Sequence, residues 1–342
     1  MRRYRKILNI RLISAIVLLL VISSSSIFRS CYFEENYQTI HSDKSILVLF
    51  TRYDDVVPKI KSYLDNAKKS IYIAVFEIGN RELIQGLMDA KNRGIDVKII
   101  TDKDNLDYPE LQKVLNSNIE VVFQEDNSYM HHKFAIIDEE IVITGSMNWT
   151  DNDIYKNDNN ILIIRSKALA GNYLKEFNQM FYEKKFSRAK EKIGNNIIML
   201  DDIRIENYFS PEEKPSRRII EIIDQSQKTI DFMAFSFTHD KIASAMIRAH
   251  SRGVKVSGIF ETRQVSKFSE YEKLKEKGMN VILDKNPKNM HNKVIIVDSS
   301  IVITGSYNFS SNADNENDEN VIIIFSKEVA LKYLNYFNRL LN

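Results

Sequence analysis

The most constraining feature of this sequence is that it contains much of itself twice. Ser70-Ile-Tyr-Ile-Ala-Val-Phe76 parallels Thr229-Ile-Asp-Phe-Met-Ala-Phe235, and Arg93-Gly-Ile-Asp-Val97 parallels Arg252-Gly-Val-Lys-Val256, both 159 residues on. Ile141-Val-Ile-Thr-Gly-Ser146 recurs without change as Ile301-Val-Ile-Thr-Gly-Ser306, and Ser166-Lys-Ala-Leu-Ala170 recurs as Ser326-Lys-Glu-Val-Ala330, both 160 residues on. A period this long is a domain duplication rather than a solenoid. The halves run from 43–190 and 195–342, and the polar stretch Glu183–Asn196 reads as the linker.

Each half follows one pattern. In the first, the apolar spacing predicts a helix over Val57–Lys68, a strand over Ile71–Phe76 and a helix over Arg81–Asn92. A strand at Val97–Thr101, a helix near Tyr108–Leu115 and a strand at Val121–Phe123 follow. Phe134–Ile137 and Ile141–Ile143 flank Asp138-Glu-Glu140 as a hairpin. Ile161–Ile164 then leads to a closing helix, Ala168–Phe181. Continuous apolar strands alternating with helices imply an α/β sandwich, its mixed sheet covered on both faces. The fold class expected is therefore α/β, with two similar halves forming a pseudo-dimer.

The copies share a chemical pattern as well. His131-x-Lys133 is followed by Asp138 and then Gly145-Ser146-x-Asn148; His291-x-Lys293, Asp298 and Gly305-Ser306-x-Asn308 repeat those spacings. Six fixed residue types, each near one in twenty, match by chance at a given position roughly once in tens of millions. His and Lys two apart on a strand share a face. Asp138 and Asp298 fall on the opposite parity at a hairpin turn, which suits a structural role. His132 faces away from His131 and is Asn292 in the other half, so it has no shared role. Lys133 and Lys293 supply two cations, and Asn148, Asn308, Ser146 and Ser306 supply neutral donors. Together they make a site that grips a phosphate from two sides. Two imidazoles across that phosphate divide the work: one attacks phosphorus and the other protonates the leaving alcohol. The pattern calls for no metal or other cofactor, since each His is paired with a Lys and no dense carboxylate cluster accompanies it.

Both motifs resemble the His-x-Lys-x4-Asp signature of the phospholipase D superfamily, and the resemblance covers nearly all of residues 43–342. Met130–Asp138 with Thr144–Thr150 is similar to the cardiolipin hydrolase branch; His291–Asp298 with Gly305–Ser310 is similar to the bacterial endonuclease branch. The resemblance implies one site at the interface of an intramolecular pseudo-dimer in a monomeric chain, a phosphohistidine intermediate and no metal. It also implies an acid beyond the Asn that holds the catalytic His by its second nitrogen. Glu319, 28 residues after His291, occupies that position, whereas the same offset from His131 reaches Asn159. Asp158 beside it has the wrong strand parity, and Glu77, where the other half has Ser236, is a further candidate for the missing acid. The offset favours His291 as nucleophile; the precedent of two-motif relatives favours the N-terminal His131, which is the assignment adopted.

The remaining polar groups read more plainly. His239 is a candidate for the mouth of the site and His250 for a helix surface. Trp149 and Phe309 suit packing, and Asn312–Asn320 a polar connector in which Glu319 alone has a specific case.

The whole chain carries 48 Lys+Arg against 46 Asp+Glu. Residues 1–30 hold six bases and no acid, leaving 42 against 46 in the rest, a formal −4. Five of those bases precede the apolar run Leu12–Ile22 and Ser23–Ser26, the order of an export signal. A cleaved signal and a retained anchor both fit; Cys31 follows a poor lipobox. With the bases held inside, the body lies outside the cytoplasmic membrane, anchored, periplasmic or secreted. The single cysteine excludes an intramolecular disulfide framework. The expected function is a phosphodiester hydrolase acting on phospholipid at a membrane surface. Nucleic acid is the alternative substrate, cardiolipin-synthase-like transfer the alternative reaction, and a binding pseudoenzyme the non-catalytic reading.

Overall fold

The computed structural model describes residues 45–125 and 128–341. The predicted export segment, 1–30, lies outside them. In the first half, β1 (Ile46–Phe50), α1 (Val56–Asn66), β2 (Ser70–Val75), α2 (Arg81–Asn92) and β3 (Asp96–Asp102) are followed by α3 (Pro109–Leu115) and β4 (Glu120–Gln124). Then come β5 (Lys133–Ile137), β6 (Ile141–Gly145), α4 (Asp151–Tyr155), β7 (Asn160–Arg165) and the closing helix α5 (Lys167–Phe181). The second half opens with a hairpin, β8 (Ile197–Leu200) and β9 (Ile203–Ser210), and then α6 (Ser216–Gln225), β10 (Thr229–Ala234), α7 (Asp240–Ser251) and β11 (Lys255–Phe260). It ends with α8 (Tyr271–Glu276), β12 (Asn280–Leu283), β13 (Lys293–Val297), β14 (Ile301–Gly305), α9 (Ser311–Asn315), β15 (Glu319–Phe325) and α10 (Lys327–Leu341).

The strands form two mixed sheets, in the orders β1-β7-β6-β5-β2-β3-β4 and β12-β11-β10-β13-β14-β15-β9-β8. β2, β3 and β4 run parallel, as do β10, β11 and β12, and the other ladders are antiparallel. β1 pairs with β7 as β9 pairs with β15, so β9 is the duplicate of β1. The sequence reading lacked both strands. The copies diverge there: the apolar Ile46–Phe50 is matched by a segment carrying buried Glu206 and Asn207.

The two sheets share one interior. Phe134, Tyr173 and Phe177 of the first half and Val302, Tyr333 and Phe337 of the second belong to a single apolar cluster, and Phe50 stacks on Tyr336 at 4.0 Å. Each half also has its own outer core, under α1 and α2 or under α6 and α7. Both faces of each sheet are therefore covered, as continuous apolar strands require. Ser45–Asn342 makes up one compact unit. The linker is pinned rather than loose: Ser187 donates its N–H to Asp318 at 2.8 Å, and Lys190 is fully buried.

Two motif positions have purely architectural duties. Asp138 and Asp298 adopt φ of 53° and 50° at the tight β5–β6 and β13–β14 turns. Their carboxylates accept the backbone N–H groups of Lys68, Lys69 and Ser70, and of Gln227, Lys228 and Thr229. Each Asp thus ties its turn to the start of the neighbouring strand. Gly145 and Gly305 sit at φ 141° and 137°, where a Cβ would lie 2.2 Å from the carbonyl oxygen of Asn160 or Asn320. Only glycine allows that approach.

Candidate functional site

The site forms where the halves cross. The backbone before each motif pairs with the strand entry of the opposite half: His131 N–H donates to Asp318 O at 2.9 Å, and His291 N–H to Asp158 O at 2.8 Å. The strands β5 and β13 begin at the lysines, so each His lies on the extended approach rather than on the strand proper. Each ammonium turns back on its own motif. Lys133 Nζ donates to His131 O at 2.9 Å and Lys293 Nζ to His291 O at 2.8 Å. Phe76 and Phe235, one per half, lie under these cations at 5.1 and 4.7 Å and against the imidazoles at 5.0 and 4.6 Å. They are absent from the sequence reading as site residues, although the repeat aligns them.

The crossing corrects the expected role of Glu319. It does not hold His291 of its own half; both carboxylate oxygens lie 2.8 Å from Nδ1 of His131. His291 Nδ1 instead meets Asn159 Oδ1 at 2.9 Å. The 28-residue offset found the right residue and assigned it to the wrong imidazole, because the two approaches exchange partners between halves. Glu77 does not fill the missing place either. The acid nearest His291 among the described residues is Asp153, 3.6 Å from Nδ1; Glu77 is half-buried within the fields of Asp153 and Lys133. With each Nδ1 tied, the ring nitrogen left for chemistry is Nε2 on both sides.

Ser146 and Ser306 were expected to bind substrate, and the structure places them elsewhere. Ser146 Oγ donates to Asn159 Oδ1 at 2.8 Å, and Ser306 Oγ to Glu319 Oε2 at 2.6 Å. Their single protons are spent behind the imidazoles. Asn148 and Asn308 follow two residues behind these serines, and their buried Oδ1 atoms accept no hydrogen bond from the protein. Of the other predicted groups, His132 is buried against Glu176 at 2.9 Å and His239 faces Asp314 at 4.0 Å. Trp149 and Phe309 are core residues. The expected connector 312–320 is instead a helical turn running into β15, with Asp318, Glu319 and Asn320 buried.

The electrostatics are those of a site awaiting an anion. Burial pushes Lys133 down to about 8, and burial with the neighbouring Lys133 charge holds Lys293 well below the usual lysine range. Burial and both ammonium groups hold His131 and His291 well below the ordinary imidazole value. Burial pushes Glu319 up to about 7. An anion bound between the two ammonium groups would offset their charge and raise the proton affinity of both rings. Among the described residues, no group of three or more His, Cys, Asp or Glu is arranged to hold a metal ion.

A family model described as "Cardiolipin synthase, PLD-like domain" matches residues 60–181 and 219–341, one copy per half. A phospholipase D of Rickettsia felis is 37% identical over 166 residues, which is 48% of this chain and 83% of the relative. A mitochondrial cardiolipin hydrolase of Xenopus laevis is 31% identical over 132 residues, 38% of this chain and 63% of the relative. The solved phosphatidylserine synthase of Haemophilus influenzae covers 86% of each chain with a TM-score of 0.65 at 14% identity, a likeness of fold. The chain belongs to the phospholipase D superfamily, as an enzyme of the phospholipase D type that carries both copies of the family domain itself.

Proposed function

We propose that this protein hydrolyses phospholipids on the head-group side of the phosphate, through a phosphohistidine on His131. Lys133, Lys293, Asn148 and Asn308 grip the phosphate. His131 Nε2 attacks phosphorus; the P–O bond to the head group breaks, and its electron pair leaves with the alcohol oxygen, which takes the proton of His291 Nε2. Water then loses a proton to His291 and attacks phosphorus, and the P–N bond breaks to give phosphatidate. Glu319 supports His131 as the nucleophile, because a carboxylate at Nδ1 stabilises the positive charge that the ring gains on attack.

One observation carries the choice of lipid. The loops after β3 and β11 leave the same end of the sheets as the two lysines, and both raise apolar side chains. Leu106 and Tyr108 are exposed on the first, and Phe268 is 70% exposed on the second. Tyr129, two residues before His131, is exposed beside Phe76. Such a rim enters the acyl boundary of a bilayer while the cleft reaches the phosphate. The names of the relatives agree, and the basic-then-apolar order of residues 1–30 suits a chain directed to a membrane.

The test incubates the purified protein with mixed phospholipid vesicles, single-stranded DNA and RNA in chelator, with an H131A/H291A double variant as control. Phosphatidate from vesicles, lost in the control, is expected. Nucleic-acid cleavage without phosphatidate would replace the lipid reading with a nuclease.

A further inference from the structure

The two imidazoles are served by different acids in different places. At the positions where the second half has Ala313 and Glu319, the first has Asp153 and Asn159. Glu319 touches His131 directly. Asp153 Oδ1 lies 3.6 Å from His291 Nδ1, beyond hydrogen-bond reach, and is linked to it through Asn159: Asn159 Nδ2 donates to Asp153 Oδ1 at 3.1 Å and to Asp153 O at 3.0 Å, and Asn159 Oδ1 then accepts from Ser146 Oγ and from His291 Nδ1. Asn157 Nδ2 donates to the same carboxylate oxygen at 2.7 Å, and the other oxygen accepts the Asn148 N–H at 3.1 Å. Asp153 is buried.

We infer that Asp153 is a positioning residue: it locks the Asn159 amide with its carbonyl towards His291 and, as a charge beside the ring but not bonded to it, sets how readily His291 gives up its proton. The inference rests on the reading of His291 as the acid that protonates the leaving alcohol. Its mechanism is the direction of the amide. Two oxygens of Asp153, one of them anionic, take the Asn159 NH2 and the Ser146 hydroxyl donates to the other end, so the end facing His291 carries the oxygen and Nδ1 of His291 the proton. A neutral carbonyl at Nδ1 stabilises imidazolium less than a carboxylate does, so His291 is a stronger acid than His131. The charges around His291 are Lys293 on β13, Lys133 on β5, His131 across the cleft and Asp153 on α4, with the Phe235 ring packed on it. Glu77 and Glu319 belong to the same cluster of charges, but Asp153 is the acid within 4 Å of the ring, so removing its charge lowers the proton affinity of His291.

The test measures kcat/KM against pH with two diesters. The 4-nitrophenolate of bis(4-nitrophenyl) phosphate leaves without needing a proton; the choline of dibutyroyl phosphatidylcholine needs one. In Asp153→Asn the alkaline limb with the lipid is expected to move down by about one pH unit, the low end of the effect of an opposite charge within about 4–6 Å. At pH 8 the loss is then about tenfold larger for the lipid than for the activated diester. Asn159→Asp, which places the acid directly on His291, moves the limb up and carries the test where Asp153→Asn fails to fold. Equal losses on both diesters with unmoved limbs in both variants would overturn the inference and leave Asp153 a structural residue. A wild-type protein inert towards the lipid but active on the activated diester would defeat the lipid reading alone, and a dinucleoside phosphate would then take the lipid's place.

Discussion

Replacing Glu319 by Gln removes one charge and almost no volume. Its two oxygens lie 2.8 Å from His131 Nδ1, which puts the centres of a carboxylate and an imidazolium about 4 Å apart. At an effective dielectric near 20 such a pair attracts by about 4 kcal/mol. Gln returns about 1 kcal/mol of that as a neutral hydrogen bond. A further part is discounted because burial pushes Glu319 up to about 7, so near neutrality the carboxyl is only partly ionised in the empty site. About 2 kcal/mol remains, or roughly a 30-fold fall in the rate of phosphoenzyme formation. Rapid quench with a radiolabelled diester measures that rate, and mass spectrometry of the quenched protein locates the phosphoryl group. Glu319→Gln within twofold of the wild type, or a phosphoryl group on His291, would refute the argument from the carboxylate to the nucleophile.

Two further perturbations follow from parts of the fold away from the reacting atoms. Lys190 is fully buried with Asp318 at 2.9 Å, Glu212 at 3.4 Å and Glu176 in contact. Lys190→Met is expected to cost about 3–5 kcal/mol in chemical denaturation, since it strands buried carboxylates. Burial already pushes Glu212 up to about 7 and Asp318 up to about 6. A carboxyl raised on folding binds protons more tightly in the folded state, so the stability that it permits is present at low pH and lost as pH rises through those values. The deficit of the variant should therefore shrink from pH 8 to pH 5, and a deficit independent of pH would show that the ion cluster is not its cause. Gly305→Ala forces a methyl to within 2.2 Å of Asn320 O at φ 137°, which calls for a backbone shift costing about 3 kcal/mol or more and displaces Ser306 from Glu319. A variant with wild-type denaturation midpoint and activity would contradict this.

The duplication, the layer architecture and the pairing of two His-Lys motifs were legible because each depends on local spacing. The structural duty of Asp138 and Asp298 was legible for the same reason: parity and a turn position sufficed. What spacing does not carry is which half a strand end faces. Glu319 was found by counting from His291, yet it serves His131, because the approaches to β5 and β13 pair with the opposite half. Ser146 and Ser306 were misplaced by a related blindness. A hydroxyl beside a motif Asn looks like a ligand for phosphate until its proton is seen to be spent on Asn159 or Glu319. Asp153 did leave a trace, since Asp stands against Ala313 in the repeat just where the expected acid at 159 is missing. Reading that trace required knowing that positions 153 and 159 touch.

The exchange of partners between halves bears on how such a site can change over time. Were the two halves identical copies held together as a dimer, every substitution would enter the site twice, and both histidines would keep the same neighbours. Fusion removes that tie. Asn159 and Glu319 answer the same structural position with different chemistry, and Asp153 and Ala313 do so again. Because each orienting residue reaches across to the other half's histidine, a change in one half alters the ring contributed by the other. A single gene can therefore tune its two histidines separately, at the cost of neither half being able to build its own site.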